Sequence, residues 1–214
     1  MKNLKKSQHS FLMETFGLFL GVLGKVNFLQ LSRYGKHGEQ RYRNQFEKTF
    51  DFMELNRLLI EDNCSKNLTI AFDSSYINKS GKATPHVGWY WSGVSGCSKW
   101  GLELGGIAVI DVENHSAFHL EAAQTIKKIN QKLLDVYANT IIARKDALLK
   151  ISKYLAVDAY FSKEPFVSSI CESGFEIVSR LRTDAHLQYA FIGKQKIGRG
   201  RPKKFDGKVD YNNL

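Results

Sequence analysis

The chain has 214 residues, 43% of them hydrophobic and 24% charged, with only 3 Pro. This composition excludes disordered, collagen-like and low-complexity classes and bounds the protein to one compact domain or one domain with a small appendage. Lys and Arg number 31 against 21 Asp and Glu, a net charge of +10 that favours a polyanionic partner. The surplus is divided: residues 1–50 carry net +6, residues 51–190 net −1 and residues 191–214 net +5. A near-neutral body with two basic ends suits phosphate at two places, with solubilising surface as the alternative reading. Cys64, Cys97 and Cys171 are far apart and form no CxxC pair, so neither a zinc ribbon nor a disulfide framework is expected, and a reducing cytoplasm fits.

The stretch Phe11 to Gly24 (FLMETFGLFLGVLG) follows Lys2, Lys5 and Lys6 and imitates a secretory signal. Glu14 interrupts it, no small-x-small site closes it, and it is too short to span a bilayer, so no membrane partner is expected. Phe11, Leu12, Phe16, Phe19, Leu20 and Leu23 recur at helical spacing and predict a buried amphipathic helix ended by Gly24. A second short helix is predicted from Asn27 to Tyr34, then a turn at Gly35-Lys36-His37-Gly38, then a third helix from about Glu39 to Phe50. On the third, Tyr42, Phe46 and Phe50 share one face and Arg41, Asn44 and Lys48 another. Helix, tight turn and helix with an Arg/Asn/Lys outer face is what a helix-turn-helix needs, since Arg and Asn can bond base edges bidentately. A plain helical bundle with a polar face is the competing reading.

After Asn67 the period changes. Leu68, Ile70 and Phe72 alternate with Thr69, Ala71 and Asp73, and Trp89-Tyr90-Trp91 and Gly101 to Val112 read as two further strands, together a β-meander. Helices are predicted over His119–Leu134 and about Thr140–Lys153, a strand over Tyr154–Val157, a helix capped by Ser162 with Pro165 in its first turn and Gly174 past its end, and a strand over Phe175–Ser179. Asp73 and Asp158 each end an apolar run where a buried strand meets solvent. Acids often terminate strands for no further reason, but if these two strands are neighbours the carboxylates converge. Converging carboxylates repel, and a hard divalent cation, Mg²⁺ or Mn²⁺, removes the repulsion.

The order of three strands, helix, strand, helix, strand, with acids on the first and fourth strands, is ribonuclease-H-like. The segments LTIAFDSSYINKSGKATPHVGWYWSG, GLELGGIAVIDV, YLAVDAYFSKEPFV, GFEIVSRLRTDAHLQY and GRGRPKKF together resemble bacterial insertion-sequence transposases of the DDE type, over nearly the whole chain from Gly24 onward. The resemblance implies an α+β, ribonuclease-H-like mixed sheet with helices preceded by a small all-helical region. It divides the chain into residues 1–66 (helical, DNA-binding), 67–180 (catalytic core) and 181–214 (the start of a basic, β-rich insertion). It further implies that Asp73 and Asp158 are the first two metal-binding acids of the triad. The implied function is Mg²⁺- or Mn²⁺-dependent cleavage and strand transfer of double-stranded DNA, at transposon ends and target, by a homodimer or synaptic complex near the bacterial nucleoid. The chain departs from the pattern at the third acid, a Glu on a later helix: after Ser179 it offers only Asp184, Asp206 and Asp210. An incomplete copy is therefore expected, with uncovered apolar sheet surface, and a non-catalytic DNA-binding remnant is the alternative. Finally, Gly198 to Lys204 (GRGRPKK) resembles the core of an AT-hook. Arg199 and Arg201 would lie in a narrow A/T minor groove, with Lys203 and Lys204 on phosphates; a solvated basic loop is the alternative.

Overall fold

The computed structural model describes residues 5–81, 83–182, 185–195, 198 and 200–210. Three short helices come first: α1 (Lys6–Gly21), α2 (Phe28–Tyr34) and α3 (Glu39–Phe46). Asn27 caps α2 by accepting a bond from the Gln30 amide at 2.9 Å. Phe11, Leu31 and Tyr42 form a small core of their own, with Leu18, Val26 and Phe28 against it. Glu14, which interrupts the apolar stretch, is the clasp of this unit. It accepts from the Tyr42 hydroxyl at 2.6 Å and the Lys36 amide at 2.8 Å, and lies 3.4 Å from the His37 Nε2. Burial works against the ionised carboxyl, but the Tyr42 bond, the Lys36 amide and the His37 and Lys36 charges outweigh it and hold Glu14 below its ordinary value. Burial and the Glu14 carboxylate push the Tyr42 hydroxyl up to about 12.

Two expectations need correction here. Among the described residues α1 buries only Phe11 and Thr15, while Leu20 and Leu23 are 91% and 97% exposed. With only two short helices beside it, α1 has nothing on which to lay a full apolar stripe. The third helix stops at Phe46, four residues before the predicted end, so Lys48 lies in the turn beyond it.

The fourth helix, α4 (Phe52–Asn63), is capped by Asp51, which accepts from the Glu54 amide at 2.9 Å, and sends Ile60 into the main core. The sheet follows: β1 (Leu68–Asn78), β2 (Gly88–Ser92), β3 (Cys97–Asp111), β4 (Ser116–Gln124), β5 (Tyr154–Val157) and β6 (Glu176–Ser179). β3 pairs antiparallel with β1 on one side, and with β2 and then β4 on the other; β5 lies parallel to β1, and β6 parallel to β5. Across its main body the sheet therefore reads β4-β3-β1-β5-β6, a mixed α+β arrangement compatible with the ribonuclease-H-like expectation. Helices α5 (Leu133–Ile142) and α6 (Lys145–Leu148) link β4 to β5, and α7 (Glu164–Glu172) links β5 to β6. Their buried residues, among them Ile141, Leu148, Phe166 and Ile170, close one core with Ile70, Phe72, Ile107, Val109 and Leu155 of the sheet.

The predicted helix His119–Leu134 is wrong: Ser116–Gln124 is strand β4 and α5 starts only at Leu133. Leu, Glu, Ala and Gln favour helix, but propensity is worth tenths of a kcal/mol per residue. The fifteen-residue β3 offers an unpaired edge that overrides it. Gly105 of β3 also has a packing reason: a Cβ there would meet the Phe72 ring at 2.9 Å. From Gly101 to Asp111 the core-parity residues of β3 are buried, and the alternate Leu102, Leu104, Ala108 and Ile110 are half-buried, while Val178 of β6 is exposed. Near the C-terminus, β7 (Gln188–Ala190) and β8 (Phe205–Lys208) form a separate antiparallel pair. Among the described residues no helix is long and apolar enough to cross a membrane.

Buried Asp111 locks the end of β3. It accepts from the Ser65 hydroxyl at 2.6 Å, the Ser65 amide at 2.7 Å, and the Asn114 side chain and amide at 2.8 and 3.1 Å. The Ser65 hydroxyl and amide, with Asn114, outweigh burial and hold the carboxyl far below the usual range. A depressed folded-state value adds stability above the unfolded value of about 4, and that stability is lost as pH falls through the acid range. Asp111→Asn should therefore lower Tm at neutral pH and flatten the acid limb of the Tm–pH curve. Parallel curves for the two proteins would show that this carboxylate does not carry the acid sensitivity.

Candidate metal and nucleic-acid site

Parallel pairing of Ile70 with Leu155 and of Ala71 with Ala156 sets the register of β1 and β5. Counting on from those pairs, Asp73 and Asp158 stand at the same level, on adjacent strands about 4.8 Å apart. The alternation that buries Ile70, Phe72, Leu155 and Val157 sends both acids to the opposite, solvent-facing side. Apolar core parity thus aims the two carboxylates together. One oxygen of each is fixed by a backbone amide: Ser74 N–H donates to Asp73 Oδ1 at 2.7 Å and Tyr160 N–H to Asp158 Oδ1 at 2.9 Å. The second oxygens are left for a cation or water. Burial, and then the Asp158 charge, raise the Asp73 carboxyl above its ordinary value against the opposing Ser74 bond. Two hard oxygen donors are of the kind that Mg²⁺ or Mn²⁺ would take.

The turn carrying Asp158 is held from both sides. Ser179 Oγ at the end of β6 donates to the Asp158 carbonyl at 3.0 Å, and Ser162 Oγ donates to the Arg180 carbonyl at 2.8 Å. Below, Phe161 of the 3-10 turn Ala159–Phe161 fills the core between Phe72, Tyr137 and Phe166.

Sequence reasoning missed a third carboxylate nearby. Glu103 of β3 is buried and accepts from the Tyr137 hydroxyl at 2.7 Å. Its charge also reaches Tyr90 and Tyr160, whose hydroxyls are raised first by burial and then by it. The legible signal was an acid at core parity, in step with Ile107 and Val109. Glu103 faces the core side, opposite Asp73. Among the described residues no three His, Cys, Asp or Glu side chains gather to hold a metal ion. Asp184 lies outside the described residues.

Of the predicted DNA contacts, Arg41 and Asn44 are exposed on α3 and Lys48 is exposed two residues past its end. Asn44 accepts from the Gln40 side chain at 2.7 Å. Arg43, which the pattern did not single out, is also exposed: it pairs with Glu39 and lies 4.8 Å over the Phe28 ring. Arg199 lies outside the described residues, while Arg201, Lys203 and Lys204 are exposed in the connection from β7 to β8. Gln195 pins that connection, donating to the Lys203 carbonyl at 2.7 Å and accepting its amide at 2.9 Å. The Lys203 ammonium pairs with Asp206 and lies 4.7 Å over the Phe191 ring. A cleft of about 490 Å³ opens here, lined by Phe191, Lys194, Arg201 and Lys203 among others.

No family model and no curated protein matches this chain. Among solved structures it is similar to the Drosophila P element transposase strand transfer complex, at 10% identity and a TM-score of 0.32, over 85% of this chain and 46% of that one. The chain thus spans just under half the length of that protein.

Proposed function

We propose that this protein binds double-stranded DNA and uses Asp73 and Asp158 to hold Mg²⁺ or Mn²⁺ for phosphodiester cleavage and strand transfer, as a transposase of the DDE type. The observation that carries the reading is the parallel register of β1 and β5, which, continued past Val157, brings Asp158 level with Asp73, close enough for its charge to raise the Asp73 carboxyl. The segment resemblance around both acids supports the same assignment. When bound, the cation supplies Lewis-acid activation of the attacking and leaving oxygens of an in-line displacement. The chain's own part is to orient the carboxylates through the Ser74 and Tyr160 amides, and to hold the Asp158 turn through Ser179. A second reading, DNA binding without strand chemistry, is favoured by the lack, among the described residues, of a third acid beside the pair.

The test is nicking of supercoiled DNA with Mg²⁺ or Mn²⁺ against a chelator control, with duplex affinity measured in parallel. Metal-dependent nicks support the first reading; tight binding without nicks supports the second; neither sinks both. The helical unit has its own expected result. Arg41→Ala should weaken duplex binding by about 1–3 kcal/mol if that guanidinium reads a base edge. Equal affinity of the wild type and the Arg41/Asn44/Lys48 triple-alanine variant would show that this face merely meets water.

A further inference from the structure

The hairpin of β2 and β3 projects past the end of the main sheet and exposes large aromatic rings. Trp89 is 70% and Trp91 62% exposed, and Trp100 is 36% exposed. Trp89 stands opposite Trp100, and Trp91 opposite Ser98, so all three rings belong to one face of the hairpin. That parity continues along β3 through Leu102 and Leu104 to Gly106, the partner of Asp73. The tryptophans therefore share a sheet face with the Asp73–Asp158 pair, six residues or about 20 Å along the strand from it.

The Trp89 and Trp100 rings are held rather than loose. Trp100 donates its indole N–H to the Gly81 carbonyl at 3.3 Å, the Tyr76 hydroxyl donates to the Trp100 carbonyl at 2.7 Å, and Trp89 packs edge-on against Trp100 with centroids 6.0 Å apart. Glu103, whose charge reaches Tyr90, is buried on the opposite face, and the exposed charges of this stretch, Lys79 and Lys99, are basic. From Ser74 to Leu102 the sequence contains Lys79, Lys82 and Lys99 and not one Asp or Glu. A second copy of this chain would bring the same lysines and be repelled. A polyanion whose flat apolar groups are accessible is attracted. In duplex DNA the base faces are covered by their neighbours, whereas unpaired bases present them to aromatic side chains.

We propose that the β2–β3 hairpin is a stacking platform for unpaired DNA bases. It seats a single-stranded segment continuous with the strand whose phosphate lies at Asp73 and Asp158, and this rests on the DNA-processing reading above. The 20 Å between the two places spans about six nucleotides at duplex rise.

The protein's 3 Trp are these three residues, so intrinsic tryptophan fluorescence reports on the platform alone. The probes are a blunt duplex of arbitrary sequence and the same duplex with a single-stranded oligo(dT) extension of about six nucleotides. The extended duplex should quench the emission and bind about tenfold tighter than the blunt one, an increment set by base–aromatic stacking. The Trp89→Ala/Trp91→Ala double variant should lose that gain while keeping blunt-duplex affinity and its circular dichroism, since both rings are mostly in solvent. The Trp89→Phe/Trp91→Phe variant should restore much of it. No gain from the extension, or a gain that survives the double alanine change, overturns the platform. A double variant that dissociates a dimer without changing the preference for unpaired DNA also overturns it, assigning the rings to self-association. Failure of the parent reading looks different: nicking is absent in the wild type while the preference for the extension persists. If neither DNA binds, both fail.

Discussion

Replacing Asp73 or Asp158 by Asn should lower Mg²⁺-dependent strand cleavage by about a thousandfold or more, the scale of a barrier contribution of several kcal/mol. Blunt-duplex affinity should stay near that of the wild type, because the basic residues assigned to DNA lie elsewhere, on and just past α3 and in the β7–β8 connection. The same variants should behave distinctively without metal. Burial and the Asp158 charge raise Asp73, so the folded state disfavours its ionised form. A raised folded-state value adds stability at low pH that is lost as pH rises through that value. At neutral pH the ionised Asp73 carboxylate is therefore a burden on the metal-free fold, and Asp73→Asn should raise Tm in chelator while abolishing the Tm gain on adding Mg²⁺ or Mn²⁺. Cleavage within about tenfold of wild type in either variant, a barrier change of only about 1.4 kcal/mol, would remove the replaced residue from the chemistry. A metal-induced Tm gain that survives in Asp73→Asn would place the cation elsewhere.

The largest stability effect should come from Phe161→Ala, at about 3–5 kcal/mol. Phe161 is buried in the turn just after Asp158, and its ring lies within 5.1–5.6 Å of the rings of Phe166, Tyr160, Tyr137 and Phe72. Removing it opens a cavity between the sheet and α5 and α7 that aromatic neighbours of fixed shape cannot fill. For a chain of this size the cost corresponds to a Tm fall of roughly 10 °C. Urea unfolding should show a lower midpoint with an unchanged slope. A loss under about 1 kcal/mol would mean that the aromatic cluster closes over the gap, contrary to its packing here. Because the same turn carries Asp158, cleavage at a temperature where the variant is still folded should fall as well.

Several elements were legible in the chain because local rules and tertiary demands agree there. The strands at Tyr154–Val157 and near Phe175–Ser179, and the helix between them with Pro165 in its first turn, lie within a residue or two of their expected places. The alternation from Leu68 to Asp73 identifies the first half of β1, since one buried face imposes a period of two. Its second half, Ser74 to Asn78, is polar and exposed at its end, and is a strand only because β3 is long enough to pair with it. For the same reason β4 was hidden: residues that favour helix in isolation pair with β3 when β3 is present. The resulting sheet puts Ser116–Gln124 into the meander and makes Trp89–Trp91 an extra hairpin partner.

The sequence alone determined that Asp73 and Asp158 each follow an apolar run, and therefore that each points away from the core, although Asp73 proves to lie midway along β1 and only Asp158 stands at a strand end, one residue past β5. Whether the two meet was decided by the tertiary structure, which lays β5 parallel beside β1 with Ile70 level with Leu155. Side-chain parity is a local property with a period of two residues, so it is written in the order of the residues. Strand adjacency is a pairing across some eighty residues, stabilised by the shared core of Ile141, Phe161, Phe166 and Ile170, and local order does not encode it. The same division holds for the tryptophans. Their number and their acid-free, lysine-bearing surroundings are plain in the sequence, but their place on the face of the two aspartates exists only once β3 runs unbroken from the hairpin to Gly106.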